Sequence, residues 1–335
     1  MSPVIPAAVA AILLLGLLFA LSPPPVATGD LPSYGPAPEL AGIAGWINAE
    51  PFTLEELRGK VVLIDFWTYS CINCIRTLPY LVAWDAAYRD QGLVIVGVHA
   101  PEFAFEHDYE NVQAAVEKYG ITYPVVLDND FATWRAYRNS YWPRKYLIDR
   151  EGNIRYDHIG EGAYQETEAV IQQLLGAPGP GAAVTAENVT FGSIQTPELY
   201  FGYAFIRAPL GNAEGIQPEA VVTYDAIPAT LPNTLYLAGS WTNKADHMLA
   251  GADAAVELIY SAQKVHMVLG GSGTVAVLLD GQPVDADVAG EDVINGNIAV
   301  SGERLYRLVA SPVPGPHVLE LQFTPGVQAY SFTFG

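Results

Sequence analysis

Residues 61–79 read VVLIDFWTYSCINCIRTLP, an apolar run ending in an aromatic-rich turn that carries the chain's two cysteines, Cys71 and Cys74. Val61 to Trp67 is short, β-branched and aromatic, and Arg58-Gly59-Lys60 bounds it as a turn would, which predicts a buried strand. A helix is expected next. A cysteine at a strand-to-helix turn aims its sulfur at unpaired backbone N–H groups and at the positive end of the helix dipole, both of which favour a thiolate. Cys71 is therefore the expected nucleophile, and Cys74, one helical turn on, is placed to close a small disulfide with it. A zinc site would need about four ligands, and no second cysteine pair or His-x-x-His cluster supplies the others. A structural bridge would be expected to close a longer loop, because one this short constrains the unfolded chain little.

Outward from this stretch, strand and helix patterns interleave. Gly45 to Leu57 offers a short strand and then Thr53-Leu-Glu-Glu56, an N-cap with a glutamate three residues on. Leu78 to Tyr88 has helical spacing, Leu93 to Val98 reads as a second buried strand, Asn111 to Tyr119 as a helix, Tyr123 to Leu127 as a strand, and Phe131 to Arg138 as a helix. Lys145 to Asp149 and Asn153 to Ile159 form a hairpin, and Thr167 to Leu175 a closing helix. The pattern predicts an α/β sandwich over 39–177. Gly176-Ala-Pro-Gly-Pro-Gly181 interrupts it, so 178–183 is expected to be a linker. From 184 to 335 the texture changes to short alternating runs such as Val265 to Leu269, Val275 to Leu279, Leu305 to Val309 and His317 to Phe323. Turns are expected at Asp280-Gly281, Asn295-Gly296 and Pro314-Gly315, and one helix at Asp246 to Glu257. This predicts an all-β, jelly-roll-type sandwich.

The N-terminal residues 1–22 contain an uncharged run of 18 residues, VIPAAVAAILLLGLLFAL, long enough to cross a bilayer. The lack of basic residues before it and of an Ala-x-Ala site after it favours an anchor over a cleaved signal, and either places the rest of the chain outside the cytoplasm. Residues 23–38, rich in Pro and Gly, are expected to be an extended tether. A formal charge of −20, from 16 Lys and Arg against 36 Asp and Glu, excludes nucleic acid as a partner, since phosphate binding needs a basic footprint.

The motif stretch resembles the thioredoxin superfamily at four further positions. Asp65 matches the buried carboxylate beneath the disulfide and Trp67 the aromatic before the active-site turn. Pro79 matches the proline that kinks the active-site helix, and Pro143, in Tyr141-Trp142-Pro143-Arg144, the cis-proline that faces the cysteines. The residues between the cysteines, Ile72 and Asn73, depart from the Gly-Pro of thioredoxin itself. Val98-His99-Ala100-Pro101-Glu102 stands where TlpA/ResA-type reductases carry a glutamate near the disulfide, and Thr122 to Asp130 resembles part of that subfamily's insertion. Together with Pro197 to Tyr203, Gly239-Ser-Trp241, Leu278 to Val284, Arg304-Leu-Tyr306 and Phe332 to Gly335, the chain resembles the periplasmic part of DipZ-like proteins from about residue 36 onward.

The resemblance implies a thioredoxin-like redox domain followed by a carbohydrate-binding-module-like domain, and a thiol-disulfide oxidoreductase acting chiefly as a reductase. It implies catalytic roles for Cys71, Cys74, Asp65, Glu102 and Pro143, and substrate contacts from Trp67, Tyr69 and Trp142. No cofactor is implied beyond a redox-active Cys71–Cys74 disulfide. The implied partners are disulfide-containing client proteins and a CcdA-like membrane electron donor. A glycan on the C-terminal domain would need exposed aromatics, for which Tyr200, Tyr203, Trp241 and Tyr306 are the candidates, although aromatics in β-sandwiches more often form core. The sequon at Asn188-Val-Thr190 reads as a chance match, and His99, His107 and His158 as scattered surface or core residues. Two alternatives remain. One is a peroxiredoxin using Cys71, for which Thr68 and Cys71 fit the Pro-x-x-x-Thr-x-x-Cys motif but Ile64 stands in the proline position. The other is a glycan-binding or scaffold protein with an accessory redox domain.

Overall fold

The computed structural model describes residues 30–176, 181, 195–207 and 210–335. The apolar run at 4–21, most of the 178–183 linker and the sequon at 188–190 lie outside them. No helix among the described residues is long and apolar enough to cross a membrane.

The first sheet has six strands: β1 (Gly45–Ile47), β2 (Val61–Trp67), β3 (Leu93–His99), β4 (Val125–Leu127), β5 (Arg144–Ile148) and β6 (Ile154–Ile159), in the spatial order β1-β4-β3-β2-β5-β6. β2, β3 and β4 run parallel, and β1, β5 and β6 are antiparallel to their neighbours. β2 is central and every one of its seven residues is buried, which is why its sequence is a continuous apolar run. Its side chains alternate between two cores. Leu63 and Trp67 join the helices α1 (Ile72–Tyr88), α2 (Tyr109–Lys118) and α4 (Tyr164–Leu175) in one, with Leu81, Trp84 and Ile171. Val62, Ile64 and Phe66 face Leu54, Trp134 and Tyr137 in the other, beside the short helix α3 (Ala132–Ala136). The period of two therefore sends Asp65 to the α1 side.

Two details of the N-terminal region differ from the sequence reading. The reciprocal hydrogen bonds of Thr53 and Glu56 form, at 2.8 and 3.2 Å, but the segment closes as successive turns and not as a helix. The described end of the 23–38 tether is not free. Tyr34 and Ala37 donate to the carbonyls of Ile154 and Gly152 at 2.9 Å, and Arg155 holds the carbonyls of Leu31 and Pro32. Backbone groups that would otherwise sit unpaired at the β6 edge recruit the tether.

The C-terminal domain is an antiparallel sheet of ten strands, from β7 (Leu199–Tyr200) to β16 (Val327–Phe334) in chain order, built on two long strands, β11 (Ala255–Leu279) and β15 (Arg304–Phe323). The apolar runs read as separate strands are pieces of these two. Register shifts near Val265 and between Leu269 and Val275 break their alternation. Pro314-Gly315 is not a turn, because the chain bulges between Ala310 and Gly315 and continues in the same strand. The expected helix at Asp246 to Glu257 is absent: β10 (Met248–Ala250) and the start of β11 occupy it, and from Ala255 burial alternates with the period of two that marks a strand.

Candidate active site

α1 begins at Ile72 with Cys71 as its N-cap, in extended geometry (φ −76°, ψ 117°), and the Cys71 sulfur accepts the backbone N–H of Cys74 at 3.4 Å. Both cysteines are free thiols. Cys71 is partly exposed, and Cys74 is buried. The Trp142–Pro143 bond is cis, and the part-exposed Trp142 indole donates to the Ala100 carbonyl just past β3 at 3.0 Å and, like Cys71, packs against the core cluster that contains Cys74. Trp142 is thus placed at the surface beside the motif. Trp67 and Tyr69 are not: both are buried, packed on His99, with ring centroids 5.2 and 5.8 Å away. They shape the floor of the site and present no face to a client. The aromatic-rich run did not distinguish these positions because strand β2 and residues Thr68 to Ser70 after it are all buried.

Behind Cys74 lies a buried acid–base pair. Lys145 is the direct antiparallel partner of Asp65 across β2 and β5, and it is fully buried. Its Nζ donates to the Gly160 carbonyl at 3.1 Å and sits 5.9 Å from the Tyr164 ring. Asp65 Oδ1 has no hydrogen-bond partner. Burial pushes the Asp65 carboxyl up to about 7, against the pull of the Lys145 charge. Burial likewise lowers the Lys145 ammonium, opposed by Asp65 and then by Cys74 and Glu161. The Cys74 thiol is raised by burial and by its interaction with Cys71. A carboxyl that changes protonation near neutrality beside a thiol that resists ionisation has the chemistry to accept that thiol's proton. Lys145 escaped the sequence reading because only the strand register brings it opposite Asp65.

Glu106, also unforeseen, lies under the motif turn. Its carboxylate is completely buried and accepts from Ser70 Oγ (2.6 Å), Ser70 N (3.3 Å), Glu102 N (2.6 Å) and Phe103 N (3.0 Å). Burial raises its carboxyl, while the hydrogen bonds from Ser70 and from the Phe103 and Glu102 amides oppose that rise. It ties the residue before Cys71 to the loop after β3. Glu102, expected beside the disulfide, lies instead in the seam with the C-terminal domain, where its carboxylate accepts from Tyr200 Oη at 2.8 Å. Burial and the neighbouring Glu106 push it up to about 8. Among the described residues it makes no hydrogen bond to either cysteine. The 3-10 turn over Ala104–His107 is what exchanges the two roles, folding Glu106 back beneath Ser70.

Residues 36–157 match the AhpC/TSA family and residues 196–335 match the thioredoxin like C-terminal domain family. The thiol-disulfide oxidoreductase YkuV of Bacillus subtilis is 33% identical over 141 residues, which are 42% of this chain and 94% of YkuV. The chain belongs to the thiol-disulfide oxidoreductases of the thioredoxin superfamily. Protein DipZ of Mycobacterium tuberculosis is 41% identical over 318 residues, covering 91% of this chain but only 44% of DipZ. The solved structure of the thioredoxin-like superfamily protein SPOA0173 shares 30% identity and covers 44% of this chain and 99% of its own, with a TM-score of 0.40. Of the four aromatics that are candidates for sugar stacking, Tyr203 stays part-exposed and donates to Glu219 at 3.1 Å. Trp241 and Tyr306 are fully buried in the β-domain core, and Tyr200 faces Glu102.

Proposed function

We propose that this oxidoreductase is an extracytoplasmic reductase of disulfides in client proteins, with Cys71 and Cys74 as its redox-active pair. The observation that carries the reading is the asymmetry of the pair: Cys71 is reachable at the helix N-cap, whereas Cys74 is buried against Asp65 and Lys145. In the reduced protein the Cys71 thiolate attacks one sulfur of a client disulfide. A Cys71–client bond forms, the client's own bond breaks, and its second sulfur leaves as thiolate. Cys74 then passes its proton to the Asp65 carboxylate and attacks Cys71 Sγ. The mixed disulfide breaks, the Cys71–Cys74 bond forms, and the first client sulfur leaves as thiolate. Two electrons pass from enzyme to client, and the client thiolates take their protons from water and from Asp65. A CcdA-like membrane donor would return the electrons, and the apolar run at 4–21 would hold the chain on the same side as such a donor.

Peroxide reduction by Cys71 is the rival that the AhpC/TSA match keeps in view. Ile64, buried within β2 where that motif would carry proline, argues against it. The test is the equilibrium potential of the pair, titrated in glutathione or dithiothreitol buffers and read by thiol alkylation. A value near that of thioredoxin, about −270 mV, supports a reductase, and one near about −120 mV reverses the direction. Absence of a reversible two-electron transition sinks the exchange reading.

A further inference from the structure

The helix face that follows Cys71 is covered by the β-domain. Ile72, Ile75 and Arg76 share one stripe of α1, and all three are buried, Ile72 to 0 % exposure. Ile72 and Ile75 form one apolar cluster with Phe103 and with Val268, Leu305 and Tyr330 of the β-domain. The Tyr330 ring meets Phe103 and Phe105 edge-on at 5.1 and 4.9 Å. Hydrogen bonds from Tyr200 Oη to Glu102 (2.8 Å) and from Ala104 N to Asp246 (3.3 Å) stitch the same seam. At its far end Gly335 approaches Arg76 so closely that a Cβ there would lie 2.8 Å from Nη1. Interdomain contacts slide by default unless a hydrophobic interface holds them, and this one has an apolar centre flanked by hydrogen bonds. Away from this seam Cys71 and Asn73 are part-exposed, as is Trp142, which packs on the same core cluster as Cys71.

We propose that the β-domain is a specificity-determining wall of the redox site. By sealing Ile72 and Ile75 under Val268, Leu305 and Tyr330, it admits to Cys71 only a disulfide borne on a single extended or loop segment entering beside Trp142. It refuses disulfides set in bulky folded surfaces. Discrimination of this kind arises from steric exclusion of the wrong partner as much as from attraction of the right one, and thiol exchange depends on access to the sulfur.

The proposal rests on Cys71 being the attacking thiol, and its test does not require turnover. In the reduced full chain carrying Cys74→Ser, Cys71 is alkylated by free N-ethylmaleimide and by the same maleimide fixed through a short linker to a small cysteine-free folded protein. Each rate is referred to that of a cysteine in an unstructured peptide. The folded carrier should slow Cys71 by about tenfold or more relative to the peptide. Leu305→Ala with Tyr330→Ala should narrow that gap about fivefold while the free reagent's rate changes less than about twofold. Should the double variant not fold, Leu305→Ala alone should move the ratio in the same direction. No gap in the parent protein, or a gap unmoved in a folded wall variant, overturns the proposal. A gap that behaves as expected in a chain that reduces no protein disulfide would refute the reductase reading and leave the wall standing.

Discussion

Two buried carboxyls flank the motif, and they differ in how completely they are satisfied. Glu106 accepts four hydrogen bonds, all from groups of the motif turn and the loop after β3. Asp65 has an oxygen without a partner and a lysine placed opposite it by strand register. A fully satisfied carboxylate fixes geometry, because removing it strands every donor it holds. An under-satisfied one keeps a protonation equilibrium within reach of solution pH. Burial raises both carboxyls, and what separates them is hydrogen-bond completeness: Glu106 is built to hold the turn, while Asp65, in the mechanism proposed above, is free to take a proton.

The sharpest break of that contrast is Glu106→Ala. It leaves the amides of Ser70, Glu102 and Phe103 and the Ser70 hydroxyl without their acceptor in a buried place, at about 1–3 kcal/mol for each donor that finds no water. Urea unfolding followed by tryptophan fluorescence should show a loss of about 4 kcal/mol, and a loss below about 1 kcal/mol would show that Glu106 is not the clamp of the turn.

Asp65→Asn should behave in the opposite way, with little loss of stability but a slowed second half-reaction. Mixed disulfide formation at Cys71 should keep its rate, while its resolution by Cys74 should slow by about a hundredfold, so that the mixed disulfide accumulates on non-reducing gels. Equal slowing of both steps would remove Asp65 from the proton path. The same residue makes a signed statement about stability. Its carboxyl lies near 7 in the folded protein against the ordinary 3.8, so the folded state holds the proton more tightly than the unfolded one. Stability contributed by that proton is present below about pH 4 and is lost as pH rises towards 7. Asp65→Asn should therefore gain on the parent protein as pH rises from 4 to 7 in parallel unfolding titrations, and a constant difference would mean that Asp65 is ionised throughout.

What the sequence disclosed follows the range of the interactions involved. Strand β2, the helix from Ile72 and the positions of Cys71, Cys74 and Pro143 are local patterns, and they appear where the residues place them. Glu102 and Glu106 stand four residues apart in one loop, and only the fold of the 3-10 turn decides which carboxylate turns beneath Ser70 and which meets Tyr200. Lys145 reads as an unremarkable strand residue until β5 is paired to β2. In the β-domain, alternation marks a strand but not which of its faces is covered, so Trp241 and Tyr306 looked available for a ligand although the sheet's own core takes them. The covering of Ile72 was not legible for the same reason, since the β-domain surface that buries it lies nearly two hundred residues away at Val268 and beyond.

The finest test concerns the charge opposite Asp65. Lys145→Met replaces a buried ammonium with an apolar chain of similar length, so the fold should tolerate it. Several charged or titratable groups act on this pocket: Asp65 and Cys74 directly, Glu161 and His158 on the Lys145 side, and Tyr123 on the Asp65 side. It is the Lys145 charge that pulls the Asp65 carboxyl down. Without it that carboxyl should rise further, and the pH profile of mixed-disulfide resolution should move to higher pH by about one unit, or roughly 1.4 kcal/mol. Lys145→Arg should keep the parent profile if the buried guanidinium fits. The decisive comparison is the double variant with Asp65→Asn, in which Lys145→Met has no carboxyl left to act on and its shift should vanish. A shift that survives there would mean that Lys145 acts on Cys74 itself, and the pocket would then be a lysine–thiol pair with Asp65 as a bystander.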